Sequence, residues 1–243
     1  MPQIMKEYDA IMFDMDGTLI DSTAGVQGAW RVFATKYPGL DVPYILDHVH
    51  GVRTTESLRR FCGIEDPATL ESEAARFEQA VLDTPKEDGS PGTVCLPSVG
   101  RIMSALLAHE DTSTNPLWAI CTSATRHYAT TALGQAGIRL PKILTTAEDV
   151  TQGKPSPVPY IQCAQKLGIT DEAGRSRCLV MEDAPSGIRS GLAAGCDVLA
   201  VCTSHEREQI ESLNSTYLVK NLDAVQVSVN DAGKVVVVIS TDA

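Results

Sequence analysis

Residues that could carry out chemistry follow the first short apolar run of the chain. Directly after Ala-Ile-Met-Phe come Asp14, Met15, Asp16 and Gly17. Two carboxylates at positions i and i+2 can face one pocket while the chain turns at the glycine. One acid can attack an electrophile while the other transfers protons, and two close carboxylates also favour cation binding. Solvated acidic turns are common, so the pair by itself does not indicate a catalytic site. Other residues of the chain must support that interpretation.

Two further polar groups follow later apolar runs. Thr122 and Ser123 offer hydroxyls and backbone N–H groups at the start of a predicted helix, which suits phosphate, although Ser123 could equally be a helix cap. Glu182 and Asp183 supply oxygen ligands of the kind that Mg²⁺ prefers. Lys154, between a glycine and a proline, could direct its ammonium group at a phosphate or a carboxylate. A lone Gly-Lys-Pro would be an ordinary loop.

The apolar runs themselves predict the fold. They are short and continuous, as in strands covered on both faces, and helical patterns separate them. Alternating strands and helices predict an α/β fold, with a Rossmann-like three-layer core and a parallel sheet. Ligands bind beyond the carboxyl ends of such strands, where the polar groups stand. The runs are Ala10–Phe13, Leu117–Cys121, Ile143–Leu144, Cys178–Met181 and Val198–Cys202.

The long stretch between the first two runs predicts an inserted helical subdomain. Apolar residues recur at helical spacing in Gly25–Thr35, Thr54–Phe61 and Pro67–Leu82. We therefore expect a helical cap at 21–92, with 1–20 and 93–243 forming the core, and such an insertion commonly works as a lid. Near the end of the chain, a hairpin that extends the sheet is predicted around Asn230-Asp231-Ala232-Gly233.

In order, these motifs resemble the full motif set of the haloacid dehalogenase superfamily, in its members with a helical cap after the first motif. The resemblance covers about residues 8–205. It implies that Asp14 is the nucleophile that forms an aspartyl-phosphate and that Asp16 is the general acid/base. It also implies that Mg²⁺ is held by the Asp14 carboxylate, the Asp16 backbone carbonyl and the Asp183 carboxylate, with Glu182 as a further ligand or next to the ion.

The same resemblance assigns the phosphate-binding groups. Thr122 by its hydroxyl and Ser123 by its backbone N–H would hold phosphate oxygens, and Lys154 would neutralise charge on the nucleophile and the transferring group. The physical reason for these roles does not depend on the family. Phosphoryl transfer depends mainly on positioning and charge stabilisation, and cations offset the repulsion between an anionic nucleophile and an anionic substrate.

Longer stretches narrow the choice within the superfamily. Residues 146–155 (Thr-Ala-Glu-Asp-Val-Thr-Gln-Gly-Lys-Pro) and 182–188 are similar to those of glycerol-phosphate and 2-deoxyglucose-6-phosphate phosphatases. Asp16 argues against a dehalogenase, which does not need a second aspartate. The resemblance therefore implies a Mg²⁺-dependent phosphatase for a small sugar or polyol phosphate. A sugar phosphate mutase of the β-phosphoglucomutase type and a non-catalytic binding module stay open as alternatives.

Three residues of the predicted cap are candidates for substrate selection. Arg53 could bind a hydroxyl or a second anionic group, His50 could act similarly, and Trp30 could form a wall of the pocket. Each also has a structural interpretation: Trp30 as part of the cap core, His50 as a packing residue and Arg53 with either role. The cap sequence does not separate these interpretations.

Composition limits the partners. The 243 residues carry a formal net charge of −11, which opposes nucleic-acid binding. Seven cysteines without a C-x-x-C pair predict free thiols in a reducing compartment. The N-terminus lacks a signal-peptide pattern, and no apolar run approaches the ~20 residues of a membrane span. We expect a cytoplasmic monomer that acts on a small molecule.

Overall fold

The structure is a computed structural model that describes residues 2–110 and 116–240. Its strands are β1 (Gln3–Tyr8), β2 (Ala10–Phe13), β3 (Ile20–Asp21), β4 (Val94–Cys95), β5 (Trp118–Cys121), β6 (Leu144–Thr145), β7 (Cys178–Glu182), β8 (Asp197–Val201), β9 (Tyr217–Val219), β10 (Val225–Val229) and β11 (Val235–Ser240). Its α-helices are α1 (Thr23–Lys36), α2 (Val42–Val49), α3 (Thr54–Cys62), α4 (Pro67–Asp83), α5 (Val99–Glu110), α6 (Arg126–Gln135), α7 (Val158–Lys166), α8 (Glu172–Arg175), α9 (Pro185–Ala193) and α10 (Arg207–Ile210).

A parallel sheet of six strands lies at the centre, in the order β6-β5-β2-β7-β8-β9. The five predicted apolar runs supply β2, β5, β6, β7 and β8, whereas β9 was not predicted. Phe13 of β2 pairs with Ile120 of β5 on one side and with Met181 of β7 on the other. The residues that follow these three strands therefore emerge side by side.

Alternate side chains of β2 enter two separate hydrophobic clusters, which makes the fold three-layered. Ile11 and Phe13 join the cluster that contains the buried faces of α5 and α6. Ala10 and Met12 join the cluster formed with α7, α9 and α10. The predicted α/β class with a parallel sheet is confirmed. A continuous apolar run was the correct signal, because both faces of this strand are covered.

The predicted C-terminal hairpin forms, but its sheet is a different one from that expected. β10 and β11 pair antiparallel, and β11 then pairs with β1. Valines 235 and 237 and Ile239 of β11 are buried in alternation with half-buried residues. The prediction that the hairpin extends the main sheet was wrong, because β1 ends before β2 begins and supplies a separate edge for pairing.

Four helices, α1 to α4, occupy the chain between β3 and β4. Strands β3 and β4 pair antiparallel, so the chain leaves the core and returns to it at adjacent points. Trp30 of α1 packs against Phe77 of α4 at 4.8 Å between ring centroids, and Phe33 packs against the same ring. Helices near the three predicted ranges are present, and α2 is additional. The boundary of the cap at 21–92 stays a prediction.

Candidate active site

Asp14 and Lys154 meet at the carboxyl end of the central strand. The Lys154 ammonium lies 2.5 Å from Asp14 Oδ1, 2.7 Å from Glu182 Oε1 and 3.0 Å from the carbonyl oxygen of Cys121. All three ionisable side chains are buried. The loop that carries Lys154 thus brings a single ammonium group against two carboxylates, one directly after β2 and one at the last residue of β7.

Glu182 serves this arrangement by holding Lys154. Its Oε1 accepts from Lys154 and, at 2.8 Å, from the Tyr160 hydroxyl. Its Oε2 accepts from the backbone N–H groups of Asp183 and Ala184 at 3.1 and 3.2 Å. Both oxygens are therefore engaged in hydrogen bonds, and one of them contacts Lys154 directly.

The residues present fit a divalent cation. One carboxylate oxygen from each of Asp14, Glu182 and Asp183 lies within 4.8 Å of the others. Asp183 Oδ1 accepts from Thr18 at 3.1 Å, whereas Asp183 Oδ2 is buried and forms no hydrogen bond of normal geometry within the described ranges. Three carboxylates against the single Lys154 ammonium leave two negative charges, which a divalent cation would balance.

Burial and mutual repulsion raise pKa values in this cluster. Burial is the largest cause of the raised pKa of Asp14, which Lys154 counteracts, and of the raised pKa of Asp183, to which Glu182 adds. Burial by itself would lower the pKa of Lys154, but Asp14 and Glu182 outweigh it and raise that pKa. The lysine therefore stays charged, and a bound cation would favour the ionised carboxylates.

The turn after Asp14 depends on a glycine. Gly17 has φ of +84°, and a Cβ on it would lie 2.1 Å from Asp183 Oδ2. Any other residue would therefore both strain the backbone and push into the acid cluster. The Asp-x-Asp-Gly spacing thus follows from how closely this turn approaches the end of β7.

The Asp16 carboxylate is not part of this cluster and accepts hydrogen bonds from two hydroxyl groups. Ser22 Oγ donates to Asp16 Oδ1 at 2.7 Å, and the Tyr128 hydroxyl donates to the same oxygen at 2.8 Å. Burial raises the pKa of Asp16, while the two hydrogen bonds lower it. The sequence predicted no role for Tyr128, because one tyrosine inside the α6 pattern is indistinguishable from a core residue.

Thr122 and Ser123 lie beside Asp14, at the end of β5. The Thr122 hydroxyl accepts from the backbone N–H of Ala124 at 3.1 Å and keeps its own proton for a ligand. Ser123 Oγ donates to the carbonyl of Gly51 in the cap at 2.8 Å. The Ser123 side chain therefore joins cap to core, and phosphate binding by its backbone N–H stays a prediction.

A cavity of about 110 Å³ lies between these strand ends and the cap. Its core face presents Asp14, Asp16, Thr122 and Ser123, and its cap face is mainly apolar. The lining contains no lysine or arginine within the described parts of the chain. The cap face consists of Ser22, Thr23, Val26, Trp30, Val49, His50, Gly51, Val52, Thr54, Ser57, Phe77, Glu78 and Val81.

Of the three cap residues that the sequence singled out, two line the cavity and one does not. His50 and Trp30 line the cavity, and Trp30 also belongs to the aromatic core of the cap, so both of its interpretations hold. Burial, with a smaller contribution from His205, lowers the pKa of His50 to about 4, which leaves it uncharged at neutral pH. Arg53 is absent from the lining; its guanidinium donates to the carbonyl of Val150 at 2.6 Å.

One glycine allows the cap loop to dock on the core. Gly51 has φ of +72°, and a Cβ on it would lie 2.5 Å from Ser186 Oγ and 2.7 Å from the Ala184 Cβ. Beside it, the rings of His50 and His205 meet edge to face at 5.2 Å. The loop at 50–53 therefore packs directly against the loop that follows β7.

The carboxyl edge of this parallel α/β sheet thus brings together an acid pair, a hydroxyl, a lysine from a loop and a second acid pair. A sequence profile described as "haloacid dehalogenase-like hydrolase" matches residues 8–195. The chain belongs to this family.

Individual relatives cover almost the whole chain. Hexitol phosphatase A of Escherichia coli (strain K12) is 34% identical over 226 residues, which are 93% of this chain and 97% of that protein. Glycerol-1-phosphate phosphohydrolase 2 of Saccharomyces cerevisiae is 32% identical over 91% of this chain and 85% of that protein. A HAD hydrolase of family IA, variant 3, from Entamoeba histolytica shares the fold, with a TM-score of 0.71 at 20% identity over 88% of this chain and 94% of its own.

Two further expectations concern the rest of the chain. All seven cysteines are free thiols, as predicted. Among the helices of the described ranges, none combines the length and the apolar character that crossing a membrane would require.

Proposed function

We propose that this protein is a Mg²⁺-dependent phosphatase that hydrolyses a small sugar or polyol phosphate monoester through an aspartyl-phosphate on Asp14. The observation that carries the proposal is the buried contact of Asp14 with Lys154, at 2.5 Å, beside the acid cluster. The similarity to hexitol, glycerol-1-phosphate and 2-deoxyglucose-6-phosphate phosphatases supports the substrate class.

In the first step, an Asp14 carboxylate oxygen attacks phosphorus and the bond to the ester oxygen breaks. Asp16, when protonated, gives its proton to the departing alcohol, and Ser22 and Tyr128 fix the orientation of its carboxyl group. In the second step, Asp16 takes a proton from water, which attacks phosphorus and releases Asp14 and inorganic phosphate. Lys154 lowers the energy of the charge that spreads over Asp14 and the phosphoryl oxygens.

The Asp14 and Asp183 carboxylates, with the backbone carbonyl of Asp16, would hold the metal ion. When bound, Mg²⁺ would reduce the repulsion between the anionic nucleophile and the phosphate dianion. The buried Asp183 Oδ2, which lacks a well-formed hydrogen bond to described residues, supports this role.

The cap face of the cavity favours hydrolysis over mutase chemistry. A phosphomutase must bind a substrate that carries a second phosphate during the reaction, and a buried phosphate requires cationic partners. The lining offers neither lysine nor arginine in the described ranges, and His50 is neutral at physiological pH. A non-catalytic module is disfavoured because Asp14, Asp16, Lys154 and Asp183 are all present.

The test is phosphate release from a panel of glycerol, hexitol and hexose phosphates, with Mg²⁺ and with a chelator. We expect Mg²⁺-dependent release from polyol or hexose 6-phosphates, and free phosphate with no isomerised sugar from a hexose 1-phosphate. Isomerised sugar would support the mutase instead, and activity that survives chelation would contradict the role of the metal. We further propose that the protein acts in the cytoplasm as a monomer.

A further inference from the structure

Glu78 brings a third carboxylate to the cavity, from the cap side. Glu78 is 4% exposed and lies on α4, about one and a half turns before the end of the helix. Oε1 accepts from Thr54 Oγ1 at 3.0 Å and from the backbone N–H of Thr125 at 3.2 Å, and Oε2 accepts from the Thr125 hydroxyl. No cation forms an ion pair with it within the described ranges.

Glu78 accepts three hydrogen bonds and retains spare acceptor capacity. Burial raises the pKa of its carboxyl group, and the hydrogen bonds from Thr125 and Thr54 lower it. The backbone N–H of Thr125 can only donate, and the Thr125 hydroxyl, which accepts from the N–H of Tyr128 at 3.3 Å, gives its own proton to Glu78. With Thr54, these are three donors. A carboxylate has about four acceptor sites, so one site on Oε2 remains for a ligand.

Its surroundings determine which ligand that site suits. The cavity that Glu78 lines has the apolar side chains of Val26, Trp30 and Phe77 and the hydroxyl groups of Thr54 and Ser57, and the Asp16 carboxylate adds to the raised pKa of Glu78. An uncompensated carboxylate beside an apolar wall attracts the hydroxyl of an uncharged group and repels another anion. The core face also carries two carboxylates, which adds to this repulsion.

We propose that Glu78 determines substrate specificity: it accepts a hydrogen bond from a hydroxyl of the non-phosphate part of the substrate and rejects esters with a second negative charge. This inference rests on the proposed phosphatase function and adds the group that selects among phosphate esters. Glu78 could also act solely as a latch between α4 and the start of α6. In that case it would affect all substrates alike.

The experiment compares two substrates of equal length, glycerol 3-phosphate and 3-phosphoglycerate, which differ by a hydroxymethyl group against a carboxylate. For the wild type, kcat/KM should favour glycerol 3-phosphate by at least about tenfold. Glu78→Gln preserves shape and removes the charge, and we expect the ratio to fall by about tenfold. Inorganic phosphate release is measured for both substrates, and thermal unfolding checks that the variant folds.

Glu73→Gln is the matched control. Glu73 is a buried carboxylate on the same helix, but it pairs with Lys36 and Arg76 and does not line the cavity, so the substrate ratio should stay at the wild-type value. An equal change for both substrates in Glu78→Gln would overturn the specificity role and leave only the latch. A wild type that hydrolyses both substrates equally would overturn it without any variant. A wild type inactive on every phosphate ester tested would instead show that the proposed phosphatase function fails.

Discussion

The two faces of the cavity differ in charge and in how they are built. On the core face, Asp14 lines the cavity and forms a buried ion pair, at 2.5 Å, with Lys154, which lies behind the lining on a loop. The cap face is apolar around Trp30 and Phe77, with Glu78 as its one carboxylate in the described lining and no lysine or arginine. We infer that the core face carries the chemistry and that the cap face selects the substrate.

The largest effect should come from Asp14→Asn, which removes the nucleophile of the core face. We expect a loss of kcat of at least about 10³-fold on every substrate, with the fold retained. Phosphate release and circular dichroism measure the two quantities. Asp9→Asn is the control, since Asp9 precedes the other end of β2 and pairs with Arg177 and Lys234 on the surface. Substantial activity in Asp14→Asn would contradict the inference that the core face carries the chemistry.

Lys154→Met should affect both activity and stability. Removing one partner of a buried ion pair leaves Asp14 and Glu182 uncompensated, which costs about 3–5 kcal/mol of unfolding free energy. We expect kcat to fall by about 10²–10³-fold. Urea denaturation and phosphate release are the measurements. Lys166→Met, which breaks a partly exposed pair with Asp149, should cost less than about 1 kcal/mol; equal effects of the two substitutions would contradict the role of the buried lysine.

Tyr128→Phe tests the residue that joins α6 to Asp16. Without the tyrosine hydroxyl, the Asp16 carboxyl loses one of its two donors, and kcat should fall roughly 3- to 30-fold, most for esters with poor leaving groups. Because that hydrogen bond lowers the pKa of Asp16, its removal should move the alkaline limb of the pH–rate profile to higher pH. Tyr8→Phe, remote from the cavity, should leave the profile unchanged. A profile in Tyr128→Phe that does not move would contradict the assignment of Asp16 as the acid.

Glu73→Gln should change stability without changing chemistry. Hydrogen bonds from Arg76 are the largest cause of the lowering of the pKa of Glu73 to about 2, and Lys36 and Tyr37 contribute. A lowered pKa stabilises the fold above the unfolded-state value of about 4.5, and this contribution is lost as the pH falls towards 2. The substitution should cost roughly 2 kcal/mol at neutral pH and less in acid. The free energy of unfolding of variant and wild type is measured against pH. A difference that stays constant down to acid pH would contradict the stabilising role of the ionised Glu73.

The core face could be predicted from the sequence for a physical reason. The carboxyl ends of parallel strands meet at one edge of a sheet, so the residues after β2, β5 and β7 must lie close together once the apolar runs are recognised. Asp14, Thr122 and Asp183 follow this rule. Strand β9 was missed because it is a run of three residues that continuous hydrophobicity does not separate from a loop.

Glu78 of the cap face and Tyr128 of the core could not be predicted in the same way. Glu78 and Tyr128 lie within helices, where one polar or aromatic residue fits an amphipathic pattern equally well on either face. Their roles depend on how α4 packs against the start of α6, which is a contact between segments far apart in sequence. Arg53, for which the sequence left ligand binding and a structural role open, donates from its guanidinium to the carbonyl of Val150, and its role in substrate binding stays a prediction.

Direct detection of the phosphoenzyme tests the central claim that Asp14 is the nucleophile. Asp16→Asn should slow hydrolysis of the intermediate, so this variant is mixed with glycerol phosphate or a more reactive aryl phosphate and Mg²⁺, quenched in acid and digested. Mass spectrometry of the peptides should find one phosphoryl group, on Asp14. A phosphoryl group on another residue, or none in a variant that still releases phosphate, would contradict the mechanism.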